Sequence, residues 1–141
     1  MNHWLFKAEA AVFGWSHQLA VGAKGAEWYG VRNYQARNNM RLMQVGDLGF
    51  FYHSVAEKRL VGVVEVTKTA HPDSTTDDLR WECVDVRAVA PFPEPVTLEQ
   101  IKATPELSAM VLVKNTRLSV QPVTADEWKR VCAMGKYVSP R

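Results

Sequence analysis

Two apolar runs near the middle of the chain limit what it can fold into: Leu48–Ser54 (LGFFYHS) and Leu60–Thr67 (LVGVVEVT). Both are dense in aromatic and β-branched residues and read as strands. The charged loop between them is too short for a crossover helix, so the pair is expected to be antiparallel. The second run is apolar on both faces over its first half, which puts it inside the sheet. Asn2–Ala8 adds a strand by alternation, with Trp4 and Phe6 on one face and His3, Leu5 and Lys7 on the other. Trp81–Val89 and Arg117–Val123 add two more.

Helical signals are short and irregularly placed. Val12–Ala20 is weakly helical, Gly22–Gly25 breaks the chain, and Ala36–Gln44 forms a further helix. Thr97 with Gln100, and Thr124 with Glu127, fit capping boxes; the first opens a helix over Thr97–Lys102 and the second one that Gly135 ends. Pro91, Pro93 and Pro95 read as a rigid spacer before the first of these, and His71–Asp78 as a loop. The expectation is one α+β domain over residues 1–141, built on a mixed sheet that is strongly curved or closed. Five or so strands with helices at such places argue against a doubly wound α/β fold.

The segment Val31–Arg41 (VRNYQARNNMR) carries the strongest chemical signal, because it crowds arginines, amides and a tyrosine together without an acidic residue. Guanidinium forks, amide groups and a stackable ring are the groups that hold a planar, anionic ligand such as a nucleotide. The competing reading makes Arg37 and Arg41 an i,i+4 pair on a helix surface and the asparagines caps or turns. The net charge of +2 excludes a protein that coats nucleic acid. Charge is unevenly placed, however: bases prevail from Lys24 to Gly46 and acids from Lys68 to Glu82, so one side of the molecule is free to attract an anion.

Catalytic and metal motifs are weak. His53–Ser54 ends a strand, but no GxSxG elbow or placed acid accompanies it. The VGAKG stretch lacks the full phosphate-loop pattern, and Asp77–Asp78 sits in a solvated loop. Cys83 and Cys132 are neither a disulfide framework nor metal-spaced, and the four histidines are scattered. No metal and no cofactor are expected. The N-terminus has no apolar run long enough for a signal peptide or membrane span, so the expected setting is cytoplasmic, without a membrane partner. Trp4 and Trp128 read as core. Trp28 and Trp81 would form two walls of a cage if they faced one cavity. Arg117, Ser119 and Gln121 alternate on one face, directed either to solvent or into a cavity where Gln121, beside Asn33, reads a base edge.

Several blocks together resemble the EVE domain family of the PUA-like superfamily: WLFKAE (Trp4–Glu9), W-x-GVRNYQARN (Trp28–Asn38), GD-x-x-FFYHS (Gly46–Ser54), VGVVEV (Val61–Val66), HPD (His71–Asp73) and RLSVQPVT (Arg117–Thr124). The resemblance spans Trp4 to about Gly135. It implies a curved, barrel-like mixed sheet with helices outside, and kinship with the YTH and SRA readers of methylated bases. It further implies a non-enzymatic binding module for a modified base in nucleic acid, DNA favoured over RNA, with room for a separately encoded effector as partner. Transferred onto matching positions, it makes Trp28 a stacking wall and borders the pocket with Arg32, Asn33, Tyr34, His53 and Ser54. Lys7 joins from the first-strand motif, Ser119 and Gln121 from the last, and Trp81 is added as a further wall. The family commonly reads Lys-Ser-Glu-Pro where this chain has Lys7-Ala8-Glu9-Ala10, so a hydroxyl and a proline are missing near the expected cavity. Two other functions compete: a sensor of a small anionic metabolite or nucleotide, and a nucleotide-processing enzyme using His53 as acid or base.

Overall fold

Alternation and apolar density produce six strands among the described residues: β1 (His3–Ala8), β2 (Ala26–Glu27), β3 (Leu48–His53), β4 (Arg59–Pro72), β5 (Glu82–Thr97) and β6 (Val120–Val123). The computed structural model describes residues 2–55 and 57–140. The strands form one sheet in the order β2-β5-β4-β3-β1-β6. β1 and β3 pair in parallel, and every other neighbour pair is antiparallel. The sheet is therefore mixed, as expected, and β3 and β4 form the expected antiparallel pair at its centre. Register shifts between β4 and β5 accompany its curvature. It is not closed: β2 and β6 remain separate edges among the described residues.

Among the described residues six α-helices flank it: α1 (Ala10–Phe13), α2 (Trp15–Val21), α3 (Tyr34–Leu42), α4 (Leu98–Lys102), α5 (Val111–Lys114) and α6 (Ala125–Met134). The weak helical signal over Val12–Ala20 resolves into α1 and α2, split at Gly14. Both capping boxes form, with Thr97 accepting from Gln100 N–H and Thr124 from Glu127 N–H. The proline spacer does not. β5 runs through Pro91, Pro93 and Pro95 to Thr97. Its pairing with β4 breaks after Pro91 and resumes at Val96, while Glu94 N–H donates to Gly135 O instead. A bulge is where a strand tolerates residues that cannot donate to the ladder.

Side chains cover both faces of the sheet. Trp4, Phe6, Trp28, Met40, Phe51, Val64 and Val86 pack on one face, while Leu5, Phe50, Leu60, Val63, Ile101, Leu107 and Trp128 pack on the other. Trp4 also donates Nε1–H to the buried Asp47 carboxylate at 3.0 Å, which fixes the turn before β3. No helix among the described residues is long and apolar enough to cross a membrane.

Gly25 sets the approach of β2 to β5. Its φ of 73° and ψ of −175° lie in a region open to glycine alone, and an added Cβ would sit 2.6 Å from Val86 O. Gly25→Ala should cost about 1–3 kcal/mol from backbone strain, more if Val86 cannot give way. Chemical denaturation checks this; an unchanged midpoint would mean that the turn relaxes freely.

Candidate functional site

A cavity of about 360 Å³ opens where the ends of β1 and β2 meet α1 and the segment 28–32. Its lining includes Lys7, Glu9, Phe13, Glu27, Trp28, Tyr29, Arg32 and Ser119. Trp28 forms the floor. Only 7% of its surface is exposed, and its indole meets Phe6, Phe13 and Phe51 edge-on, with centroids 5.1, 6.2 and 5.5 Å away. The open wall is Tyr29, which is 45% exposed and meets Phe13 at 6.4 Å. Neither Phe13 nor Tyr29 is among the site residues expected from the sequence. The adjacency of Tyr29 to Trp28 is the available signal, whereas nothing local marks Phe13.

Gly30 and Arg32 hold one side of the cavity through Asp73. The chain turns at Gly30, at φ 81°, so that its N–H donates to Asp73 Oδ2 at 2.8 Å. Arg32 Nη1 donates to the same oxygen at 3.1 Å, and Thr75 donates to Oδ1 through both N–H and hydroxyl. Burial alone would raise the Asp73 carboxyl. Hydrogen bonds from the Thr75 hydroxyl, the Gly30 and Thr75 N–H groups and Arg32 outweigh it and hold the group down at about 2. On the opposite side, Lys7 Nζ donates to Thr116 O at 2.9 Å, and burial lowers the ammonium below its ordinary value. Two cations, Lys7 and Arg32, thus face two carboxylates, Glu9 and Glu27, so the lining is mixed in charge and not purely basic.

A second hollow of about 420 Å³ shares Lys7, Glu9 and Ser119 with the first and adds Ser54, Lys58, Lys102 and Thr116. Ser54 hydroxyl donates to Ala8 O at 3.2 Å. This neighbouring surface carries the denser positive charge.

The other expected site residues lie elsewhere. Asn33 caps α3, its Oδ1 accepting from Ala36 N–H at 2.9 Å. Tyr34 stacks on Trp81 with centroids 4.9 Å apart, Arg32 lies over Trp81 and Arg37 over Tyr34. Trp81 and Trp28 therefore do not wall one cage; Arg32 over the Trp81 ring, and Asp73, whose N–H donates to Trp81 O at 3.1 Å, link the side of the cavity to that stack. His53 Nε2 accepts from Trp15 N–H at 3.1 Å, and its Nδ1 has no hydrogen-bond partner among the described residues. Burial lowers its pKa foremost, with Arg59 adding to that and Glu57 opposing it. Gln121 is fully buried; its Nε2 donates to Leu118 O at 2.8 Å, and it sits opposite Leu5 in the β1–β6 register. That register turns the side chain toward the Leu5 core, away from Asn33. The alternation over 117–121 fails because β6 begins only at Val120.

The basic and acidic stretches, separate in sequence, fold onto each other. Arg32 pairs with Asp73, Arg41 with Glu82, and Arg37 donates to Arg80 O. Much of the positive charge on 31–41 thereby fastens α3 and the segment before it to the start of β5 and the loop that precedes it, which leaves less of it to attract an anion than the composition suggested.

The family model described as the EVE domain matches residues 2–134. Mouse thymocyte nuclear protein 1 is 33% identical over an alignment covering 94% of this chain and 73% of the relative. A crystal structure of a protein from Agrobacterium tumefaciens shares 55% identity, with a TM-score of 0.97 and coverage of 99% of this chain and 97% of that one. Human THYN1, solved in complex with DNA containing 5-methylcytosine, shares 30% identity at a TM-score of 0.88, covering 99% and 100% of the two chains. The YTH domain of a Zygosaccharomyces rouxii protein, at 18% identity and a TM-score of 0.59, covering 98% and 88%, shares the fold alone.

Proposed function

The chain belongs to the EVE domain family, and from that premise we propose that it is a non-enzymatic module that binds a modified base in DNA, seated in the cavity floored by Trp28. The observation that carries this reading is the likeness, across the whole solved chain, to human THYN1 in complex with 5-methylcytosine DNA. The cavity suits the task chemically. Tyr29 and Phe13 offer rings for stacking, worth about 1–3 kcal/mol per base. Glu27 and Glu9 supply acceptors, and Ser119 and Lys7 supply donors for a base edge. Mixed charge fits a neutral base, and the adjoining Lys58–Lys102 surface fits the phosphates that flank it. Extruding a base costs a few kcal/mol, least where pairing is already weak.

The non-enzymatic reading rests on His53. Its Nε2 already accepts a backbone N–H, and Ser54 hydroxyl donates to Ala8 O, so the pair lacks the geometry of an activated nucleophile.

Binding to matched oligonucleotides, plain or carrying 5-methylcytosine or N6-methyladenine, single or double stranded, tests the proposal. One modification should tighten binding at least about tenfold, with affinity falling linearly in log salt. Lys102→Ala, on the surface assigned to the flanking phosphates, should weaken all duplexes alike and reduce the salt slope by about one. Equal affinity for plain and modified strands would overturn base reading. Salt-independent saturation by a free nucleotide would replace it with metabolite sensing.

A further inference from the structure

A cluster that no local spacing announces sits beside the cavity. Glu27, His71 and Cys83 come from β2, β4 and β5, and one donor atom of each lies within 4.8 Å of the other two. The register accounts for their meeting. His71 is the cross-strand partner of Cys83, Glu27 is the partner of Asp85, and Cys83 and Asp85 stand two residues apart on β5. Side chains two apart on a strand share a face. Cys83 is fully buried, with Sγ 3.5 Å from Glu27 Oε1. His71 Nε2 lies 2.7 Å from Asp85 Oδ1. Ser74 N–H donates to Glu27 Oε1 at 3.1 Å.

We propose that Glu27, His71 and Cys83 form a binding site for a single divalent cation of the zinc class. Thiolate, imidazole and carboxylate are the donor types that zinc takes, and three protein ligands leave a fourth position for water. Tetrahedral zinc separates its ligand atoms by about 3.3–3.7 Å. Donors already within 4.8 Å need only small side-chain adjustments to close on the ion. The surroundings support the assignment independently. Both His71 ring nitrogens already meet an oxygen, Nε2 that of Asp85 and Nδ1 that of the Pro72 carbonyl at 3.0 Å, so the ion takes one nitrogen in exchange for its contact while the other contact orients the ring, as carboxylates and backbone carbonyls do for metal-ligating histidines; the Ser74 N–H steadies the Glu27 carboxylate in the same way. On binding, the thiol proton passes to solvent as the sulfur–metal bond forms. Glu27 lines the cavity, which gives the ion its path of entry. Once bound, it would join the two-residue edge strand β2 to β4 and β5 directly beneath the cavity wall.

The test is metal uptake by the full chain, stripped with chelator and titrated with Zn²⁺ or Co²⁺, without nucleic acid. One equivalent should bind and raise the thermal midpoint by mass action. The cobalt form should show the thiolate charge-transfer absorption of a cysteine-ligated ion. Cys83→Ser and His71→Ala should each weaken uptake at least about tenfold, and Cys83→Ser should remove that absorption. Cys132→Ser, on the opposite face of the sheet, should keep both. Glu27→Gln, a near-isosteric change, should weaken uptake even if the other variants fold poorly. No uptake by the stripped wild type would overturn the site, as would uptake indifferent to Cys83→Ser and Glu27→Gln. Neither result bears on base recognition, which oligonucleotide binding tests separately.

Discussion

Trp28→Ala should destabilise the protein by about 3–5 kcal/mol, the range for removing a large buried aromatic side chain. The ring is only 7% exposed and packs against Phe6, Phe13 and Phe51, so its loss opens a void in the core at the root of the cavity. Urea unfolding should show a lower midpoint with an unchanged m-value. Tyr29→Ala, one residue on, should behave in the opposite way. Tyr29 is 45% exposed, so stability should change within about 0.5 kcal/mol. Removal of the open aromatic wall should still weaken binding of the preferred modified oligonucleotide by about 1–3 kcal/mol. An unaltered midpoint in Trp28→Ala would show that the indole is not part of the core. Unaltered affinity in Tyr29→Ala would remove that ring from the proposed site.

That contrast is hidden in the sequence, where both rings precede Gly30 and look alike. What was legible came from local signals with a physical cause. The β3–β4 pair followed from apolar density and a loop too short for any crossover. Both capping boxes followed from the hydrogen-bonding reach of Thr97 and Thr124, and the family followed from six blocks in order. Signals fixed by non-local geometry were not legible. Alternation assigned Gln121 to a polar face, but its partner is Leu5, whose side of the sheet is covered by α6 and its neighbours. The prolines at 91, 93 and 95 argued for a break, but a bulge let β5 pass through them. The arginines of 32–41 and the acids of 73–82 looked like two separate fields because their pairing spans about forty residues. The cluster of Glu27, His71 and Cys83 depends on the register of three strands, which no spacing rule encodes.

The largest pH effect should trace to Asp73. Asp73→Asn keeps the shape of the side chain but removes the charge that Arg32 faces, and its amide cannot accept on both atoms. The folded carboxyl titrates at about 2 against an ordinary 3.8. A lowered carboxyl favours the fold while it is ionised. That contribution is fully present above the ordinary value and is lost as pH falls through about 2. The difference corresponds to roughly 2 kcal/mol at neutral pH. Asp73→Asn should therefore lose about that much near neutrality. Its stability should also fall less steeply than that of the wild type between the two values. The functional consequence follows from the same bonds. Asp73 fixes Gly30 and Arg32, and through them the side of the cavity next to Tyr29. The Asp73→Asn protein, if it stays folded at neutral pH, should therefore bind the modified duplex more weakly, although residue 73 does not line the cavity. Wild-type affinity together with reduced stability would separate the clasp from the site, and an unchanged acid limb would mean that Asp73 is not the group that titrates.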